Sequence, residues 1–208
     1  MPPNRVRPGG GLDPALQSCA RSDTPLTALV PVNNPVHTVE SHPSFLFYFP
    51  DSAHDVHYGE FVILTADEKE RIYSTRVAPP ESSGIVTIEM PELAHAALEM
   101  GQRYHWYFKV YCASGSDQPE LSDLSVDGWI RRVRLNAERE QQLATFSPEL
   151  WYDSLARAAI ALQDSSGNTA EARTTWRNLL EAIDLESLAN APFVDVTPAS
   201  GTETAIIE

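Results

Sequence analysis

The feature of this sequence that most restricts its fold is a series of eight short runs rich in β-branched and aromatic residues. Turn-forming Pro, Gly, Asn, Asp and Ser separate the runs at nearly regular spacing, and no helical periodicity interrupts them. A parallel sheet would need helical crossovers, so the pattern favours a mainly β fold: an antiparallel β-sandwich of immunoglobulin or fibronectin type. The predicted strands are residues 26–32, 36–40, 44–49, 59–67, 70–78, 84–90, 103–112 and 126–135.

The seventh run, residues 103–112, is the most strand-like segment of the chain. Successive side chains of an extended strand point to opposite sides of the sheet. The face that we expect in the core carries Tyr104, Trp106, Phe108, Val110 and Cys112. The opposite, outward face carries His105, Tyr107, Lys109 and Tyr111.

Just upstream, Leu98, Gly101 and Tyr104 follow the spacing L-x-x-G-x-x-Y. This spacing is typical of a tyrosine corner, in which a tyrosine hydroxyl bonds to the backbone of the preceding turn and fixes a crossing between two sheets. The motif is structural, so it supports the sandwich without indicating an activity.

After Asn136 the apolar periodicity becomes helical. Ser147, Pro148 and Glu149 form a typical helix start, and two amphipathic helices follow that should pack together as a C-terminal α-helical hairpin. Their apolar stripes are Trp151, Leu155, Ala158, Ala159 and Leu162 in the first, and Ala172, Trp176, Leu179, Leu180 and Ile183 in the second.

These patterns divide the chain into one compact domain with flanking segments. Residues 1–25, rich in Pro and Gly, are expected to form a flexible leader. The sandwich domain should span 26–135 and the helical tail 136–190. Residues 191–208 are expected to form a loose C-terminal tail.

The charge of the chain restricts its partners. With 29 acidic and 15 basic residues the net charge is −14, and residues 136–208 alone hold 12 acids against 4 bases, a balance of −8. Such a field repels phosphate backbones and anionic lipid surfaces, so we expect no nucleic-acid binding. No apolar run approaches the ~20 residues of a membrane helix, so no membrane insertion is expected.

The cysteines and the N-terminus leave the compartment open. Cys19 and Cys112 could pair, which would imply an oxidising compartment, or they could be two unrelated buried thiols. Met1 leads into a Pro- and Gly-rich segment without the apolar centre of an export signal. The protein is therefore either cytoplasmic or has lost its leader.

Several segments, in order, resemble the cyanobacterial family known as domain of unknown function 928. They are LTALVPVNN, SHPSFLFYFP, GEFVIL, SSGIVTIEMP, GQRYHWYFKVYC, DGWIRRVRL and LWYDSLA, and the similarity runs from about Cys19 to about Leu188. The resemblance implies an extracytoplasmic protein of the periplasm or cell envelope, because members commonly begin with an export leader that this chain lacks. It also favours a Cys19–Cys112 disulfide. It implies no activity.

Metal-ligating side chains are densest in the loop after the third strand. Asp51, His54, Asp55 and His57 lie within seven residues, and two histidines with a carboxylate could hold a divalent ion. No strict ligand motif is present, however, and a solvated polar loop is the simpler interpretation. We therefore predict no cofactor.

No set of residues predicts an enzyme. Ser41, His42 and Asp51 could be arranged as a hydrolytic triad, but nothing places a nucleophile on a strained elbow. The glycines at 9–11 lack the strand and the Lys-Ser or Lys-Thr pair of a phosphate-binding loop.

Two groups of residues could bind a ligand. Tyr107 and Tyr111, extended by Tyr48 or Tyr73 on neighbouring strands, could form an aromatic platform for a sugar. The alternative, which we prefer, is that the helical tail covers this row with its tryptophans, since apolar helix stripes need a surface. The second group is Arg132 and Arg134, which would share a strand face and could bind a carboxylate.

The expected function is that of a non-catalytic adaptor or scaffold module of the bacterial cell envelope, presenting loops and one sheet edge to a protein partner. A glycan-binding sandwich that uses the tyrosine row is the alternative. A metal-binding protein, or a metal-dependent enzyme, at His54 and His57 is a third candidate.

Overall fold

The computed structural model describes residues 3–8, 24–33, 36–50, 56–112, 124–164 and 169–199. Within these ranges the protein is mainly β, with eight strands in two sheets and three short α-helices toward the C-terminus. The strands are β1 (Thr27–Ala28), β2 (His37–Thr38), β3 (Ser44–Phe49), β4 (Val56–Thr65), β5 (Arg71–Val77), β6 (Gly84–Glu89), β7 (Arg103–Cys112) and β8 (Leu124–Arg132). The helices are α1 (Ala137–Ala144), α2 (Trp151–Gln163) and α3 (Thr169–Glu181).

The strands form a three-stranded sheet in the order β1-β3-β6 and a five-stranded sheet in the order β2-β8-β7-β4-β5. The neighbouring strands pair antiparallel with one exception, because β2 runs parallel to β8. The prediction of a purely antiparallel arrangement is therefore wrong at this edge. The predicted bounds of β3 and β7 agree with the structure, whereas β1 and β2 are only two residues long.

The core lies between the inner faces of the two sheets and is mainly aromatic. Phe45 and Phe47 of β3 meet Phe61, Trp106 and Phe108 from β4 and β7, with ring centroids 4.5–5.8 Å apart in the closest pairs. All five side chains are essentially inaccessible to solvent. Tilted and edge-to-face pairs of this kind add to the free energy gained by burying the rings. The predicted inward face of β7 is confirmed.

The predicted tyrosine corner is also confirmed. The backbone N–H of Glu99 donates to the Tyr104 hydroxyl over 2.8 Å. Gly101 has φ of +82°, a conformation that glycine adopts without steric penalty. The backbone N–H of Leu98 donates to the Ser41 carbonyl, which joins this turn to the start of β3. The corner therefore fixes the approach to β7.

Helix α2 enters the end of the sandwich through its first turn. Trp151 donates to the Leu29 carbonyl over 2.8 Å, and the Tyr152 hydroxyl accepts from Trp106 over 2.6 Å and lies 3.2 Å from the Trp129 carbonyl. These buried side chains connect the helix directly to the aromatic core. No helix in the described ranges is long and apolar enough to span a membrane.

The prediction that the helices cover the Tyr107 row is wrong. Helix α2 packs on β2, β3 and α3, and Trp176 of α3 contacts Phe193 instead of the five-stranded sheet. The reason is that Tyr152 bonds to Trp106, which lies on the inward face of β7, opposite Tyr107. The hairpin lies instead against the three-stranded sheet, on the side where Leu46 is buried.

Two segments predicted to be irregular lie along sheet edges. Arg5, predicted to belong to a flexible leader, exchanges two backbone hydrogen bonds with Asp127 of β8, and the Val6 carbonyl accepts from Ala28 of β1. Residues 192–199, predicted to belong to a loose tail, bond to Ile85 of β6 and then to both sides of Val77 on β5. This C-terminal segment, which we call the strap, lies along one edge of each sheet.

Asp153 connects helix α2 to the edge strand β2. Its carboxylate accepts from the Thr38 hydroxyl over 3.0 Å and from the Val39 backbone N–H over 3.2 Å, in a site only 5% exposed. Burial disfavours the charged form and raises the pKa of Asp153 from 3.8 to about 6, although these hydrogen bonds oppose the effect. Ionisation of this carboxyl therefore destabilises the folded protein, because the loss of solvation of the charge outweighs the gain from the hydrogen bonds.

Replacing Asp153 by Asn should remove this pH dependence, because the amide oxygen can still accept from Thr38 and Val39. A folded-state pKa above the unfolded value means that wild-type stability falls as pH rises from about 4 to about 6 and stays lower above that range. The shift corresponds to on the order of 3 kcal/mol. We expect Asp153→Asn to gain up to about this amount relative to wild type between pH 4 and pH 7 in urea unfolding.

Asp153→Ala is the control, since it removes the charge and the hydrogen bonds together. It should be less stable than Asp153→Asn at both pH values, because Thr38 and Val39 lose their acceptor. A wild-type-to-Asn difference that does not change with pH would contradict the assignment.

Candidate functional site

The outward side of the five-stranded sheet carries the densest polar and aromatic cluster in the described part of the chain. We call this surface the outer face. Its side chains come from alternating positions of the three central strands: Tyr58, Glu60 and Val62 of β4, His105, Tyr107, Lys109 and Tyr111 of β7, and Ser125, Asp127 and Trp129 of β8. Register places Tyr107 directly between Val62 and Asp127, and His105 beside Trp129.

His105 is the centre of the outer face. Its Nδ1 lies 2.6 Å from a Glu68 carboxylate oxygen, and its Nε2 lies 3.2 Å from a carboxylate oxygen of Asp127. Its ring stacks on Trp129 with centroids 4.2 Å apart and planes 8° from parallel. The Tyr107 hydroxyl donates to the same Glu68 oxygen over 3.0 Å. His105 is thus held between two carboxylates while only 7% exposed.

This environment favours the protonated imidazole. Burial alone lowers the pKa of His105, but the hydrogen bonds and charges of Asp127 and Glu68 outweigh it and raise the pKa above the ordinary 6.5. The hydrogen bond from His105 is the main reason that the pKa of the Glu68 carboxyl is lowered. The indole face of Trp129 also favours a cation. The two acids that His105 joins therefore favour its imidazolium form.

A strained turn positions the Glu68 carboxylate. Glu68 lies between β4 and β5 with φ of +59°, a left-handed conformation that side chains other than Gly, Asn and Asp rarely adopt. The turn is closed by backbone hydrogen bonds from Thr65 to Glu70 and from Glu68 to Thr65. A glycine would fit this backbone better, but the Glu side chain at this position places its carboxylate next to His105.

The cluster is not arranged for general base catalysis. Both ring nitrogens of His105 bond to carboxylates, so neither is left to accept a proton from a nucleophile. In the described residues, the hydroxyl within hydrogen-bond distance of this ring belongs to Tyr107. Burial and the adjacent Glu68 raise the pKa of that hydroxyl, which makes it harder to ionise.

The tyrosine row exists only in part. Tyr107 and Tyr111 share the outer face as predicted, but Tyr48 belongs to the three-stranded sheet and Tyr73 points to the opposite side of β5. Tyr111 stacks on Tyr58 with centroids 4.5 Å apart, and its hydroxyl donates to Glu60. The extension of the row to Tyr48 or Tyr73 is therefore wrong.

The rings of the row also have neighbours on their faces. Lys109 Nζ lies 5.4 Å from the Tyr107 ring centroid, and the His105 ring lies 4.4 Å from it. The Arg76 guanidinium lies 4.5 Å from the centroid of Tyr58, the ring on which Tyr111 stacks. A flat sugar could not stack on these faces unless the cations moved aside.

The predicted arginine pair does not form. Strand β8 ends at Arg132, so Arg134 lies beyond the sheet and the two do not share a strand face. Arg132 donates to the Leu98 carbonyl over 2.6 Å and so supports the tyrosine corner. The Arg134 carbonyl accepts from Arg139 at the start of α1.

The remaining predicted sites fall largely outside the described residues. Asp51, His54 and Asp55 lie there, and His57 is exposed on β4 with its ring centroid 5.3 Å from that of Tyr58. No group of three potential metal ligands occurs in the ranges that the structure describes. The metal site stays a prediction.

The Ser41–His42 pair and the cysteines have similar outcomes. The Ser41 hydroxyl lies 3.1 Å from His42 Nδ1, but His42 Nε2 bonds to the Leu93 carbonyl and not to an acid. Cys112 ends β7 and is 8% exposed, while Cys19 lies outside the described residues. The disulfide stays a prediction.

Lowering the negative charge beside His105 should lower its pKa. Glu68→Gln keeps the length of the side chain but removes the charge that favours the imidazolium. We expect the His105 imidazole to titrate above 6.5 in wild type and at a lower pH in Glu68→Gln, measured by two-dimensional NMR. The imidazole signal that disappears from the spectrum of His105→Gln is the signal of His105. An equal His105 pKa in both proteins would contradict the proposed network.

The raised pKa also determines how stability depends on pH. Because the folded-state pKa exceeds 6.5, the stabilisation from charged His105 is present in full below pH 6.5 and is lost as pH rises through the folded-state pKa. We expect wild type to be most stable relative to His105→Gln at low pH. An advantage that grows with pH in urea unfolding would rule this out.

Comparison with known proteins gives one match. The model of one protein family, described as Domain of Unknown Function (DUF928), matches residues 6–193 and so covers most of the chain. Neither the curated proteins nor the solved structures contain a match to this chain.

Proposed function

This chain belongs to the DUF928 family, and we propose that it is a non-catalytic interaction module of the bacterial cell envelope that binds a protein partner through the outer face. The observation that carries the proposal is that the aromatic side chains of the outer face are already held in place. Other segments of the chain bond to most of the edge strands, so the face is the more accessible surface. Tyr107, Tyr111 and Trp129 are half-buried there; the two tyrosines are held by hydrogen bonds to Glu68 and Glu60, and Trp129 by stacking on His105.

Occupied edges make strand addition by a partner unfavourable. Val6 bonds to β1, and the strap, residues 192–199, bonds to β6 and β5. The remaining edge strand, β2, spans only two residues and is followed by Val39, which bonds to Asp153. Short and covered edges of this kind disfavour pairing with another chain. We therefore place the contact on the outer face instead of the sheet edge first expected.

The residue types of the outer face suit a protein contact. Tyrosine, tryptophan and arginine are enriched at the energetic centres of interfaces, because they combine large apolar area with a polar group. Side chains already fixed before binding lose less conformational entropy when a partner arrives. Trp129 has a buried Nε1 without a hydrogen-bond partner among the described residues, and a partner could supply an acceptor after a small rearrangement.

Charge complementarity points to a basic partner. The whole chain carries −14, so long-range attraction would speed encounters with a positively charged surface. The outer face itself is close to balanced, because Glu60 meets Arg76, and Asp127 meets Arg5 and His105. We propose that the overall charge steers the partner and that the aromatic side chains bind it.

We further propose an immunoglobulin-like sandwich for this fold. The support is the strand order of the two sheets, the parallel pairing of β2 with β8, and the Tyr104 corner before β7. Domains of this class commonly use such sheet faces and loops for recognition. A location outside the cytoplasm would agree with this role and with a Cys19–Cys112 disulfide.

The interface proposal can be tested with a steric block. Ser125 lies on the outer face opposite Lys109, and Ser125→Arg would place a large side chain there without removing an existing contact. The control is Gln141→Arg, which introduces the same residue and charge on an exposed side of α1. Wild type and both variants would be used as baits for an envelope extract of the source cells, with quantitative mass spectrometry.

We expect at least one basic protein to bind wild type and Gln141→Arg but to be depleted at least tenfold on Ser125→Arg, as for a central interface site worth about 1.4 kcal/mol or more. The complex should also weaken as salt is raised. Identical protein profiles for the two variants would overturn the proposal.

The disulfide can be tested by counting thiols. Unfolded wild type, purified without reductant after export, should have no thiol that reacts with iodoacetamide, and Cys19→Ala should have one. The bond would close a long loop, so its loss should lower the free energy of unfolding by about 2–5 kcal/mol. Two reactive thiols in the exported wild type would exclude the bond.

A further inference from the structure

A second surface, remote from the outer face in the fold, carries a cavity of about 510 Å³. It lies where the three-stranded sheet diverges from β5, with α2 on one side and the strap on the other. Small side chains leave the space open: Ser44 and Thr87 on the sheet face Ala156 and Ala159 on the helix. Its size falls in the range of small-molecule sites, about 300–1,000 Å³.

The lining of this cavity contains hydroxyls that do not bond to other described side chains. Ser44, Tyr73, Thr75 and Thr87 contribute hydroxyl groups to the walls, and none has a side-chain hydrogen bond to another described residue. Each of these residues is partly exposed, and none of their hydroxyls is among the buried polar atoms that lack a partner, so water reaches them in the free protein. A ligand that displaces this water must replace its hydrogen bonds, so four such hydroxyls favour a ligand that itself carries hydrogen-bonding groups.

The charges around the cavity disfavour one class of ligand. Glu89 and Asp195 are exposed at its rim, and the described lining includes no Lys, Arg or His. Carboxylates with no nearby cation repel an anion, and the net charge of −14 adds to this repulsion. Phosphorylated, sulfated or carboxylated ligands are therefore disfavoured.

Two further classes fit less well than a neutral polar ligand. A wholly apolar molecule would strip water from the four hydroxyls without replacing its hydrogen bonds, which is unfavourable. An amine would be attracted by Glu89 and Asp195, but exposed carboxylates are well solvated and screened, so each contributes little. A neutral polyhydroxy compound can instead donate to the rim carboxylates and exchange hydrogen bonds with the wall hydroxyls.

The apolar part of the lining suits the same class of ligand. Phe193 and Tyr73 supply aromatic rings, while Leu46 and Val77 supply aliphatic surface. Sugar rings present C–H groups on one face and hydroxyls around their edge, which matches a lining of this mixed character. We propose that the cavity between β5, β6, α2 and the strap binds a neutral saccharide of one or two rings. This site differs from the Tyr107 and Tyr111 platform expected from the sequence.

The test is a titration of the full chain followed by ¹H–¹⁵N NMR. The probes are glucose, galactose, mannose, N-acetylglucosamine, maltose and cellobiose, with glucuronate and glucosamine as charged comparisons. We expect saturable shifts for at least one neutral sugar, centred on Thr75, Thr87 and Phe193, and weaker binding of its charged relatives.

Variants locate the site. Thr87→Ala and Thr75→Ala each remove one wall hydroxyl and should weaken binding roughly fivefold, the effect of one hydrogen bond of about 1 kcal/mol. Thr174→Ala removes an exposed hydroxyl on α3 and should bind as wild type does. Ala156→Phe should fill the cavity and abolish binding while the spectrum stays dispersed.

The opposite results are equally distinct. Absence of saturable binding for all six neutral sugars, or shifts confined to Tyr107 and Tyr111, would overturn the saccharide site. Tighter binding of glucuronate than of any neutral sugar would overturn the argument from charge. Tighter binding of glucosamine would overturn the proposal of a neutral ligand in favour of an amine. Equal binding by Thr87→Ala, Thr75→Ala and Thr174→Ala would exclude the wall hydroxyls. None of these outcomes bears on the protein interface, because Ser125 lies on the other side of the molecule's five-stranded sheet.

Discussion

The close packing of aromatic rings between the two sheets is the interaction on which the rest of this structure depends. Phe45 and Phe47 of the smaller sheet interlock with Phe61, Trp106 and Phe108 of the larger one. Because strand residues alternate between faces, fixing the inward side of β7 also fixes the outward side. The outer face is thus positioned by a core that it does not touch. The same core holds the helices, since the Trp106 indole donates to Tyr152 of α2.

The terminal segments solve a problem that this core leaves behind. Two separate sheets have four edges, and each exposed edge offers unpaired backbone groups to other chains. The described N-terminal residues bond to β8 and β1, while the strap reaches both β6 and β5. One segment therefore joins the two sheets at the point where they diverge, and in doing so forms one wall of the cavity. Protection of the edges and creation of a recess have the same structural cause.

The sequence predicted features that depend on local pattern and missed those that depend on distant pairing. Alternation and bracketing prolines identified β3 and β7 to the residue, and the L-x-x-G-x-x-Y spacing identified the Tyr104 corner. Strand β2 pairs parallel with β8, almost a hundred positions away, and no local pattern records such a partner. The same applies to His105, whose carboxylate neighbours come from a turn and from the next strand. One signal was present in the sequence: a Glu–Lys turn stands between β4 and β5, where glycine or asparagine would be usual, and it could have drawn attention to the Glu68 side chain.

The two candidate surfaces differ in whether their polar groups are already paired. On the outer face, Glu68, His105 and Asp127 bond to one another, so a partner would gain mainly from apolar and aromatic contact and from pairing the buried Nε1 of Trp129. In the cavity, the hydroxyls of Thr75 and Thr87 have no such neighbours, so a ligand that supplies hydrogen bonds gains from each of them. A surface whose polar side chains largely bond to one another favours broad contact with a protein, whereas a recess whose hydroxyls are open to solvent favours a small polar molecule. The difference in pairing, more than the presence of aromatic residues on either side, therefore separates a protein interface from a saccharide site on the same small domain.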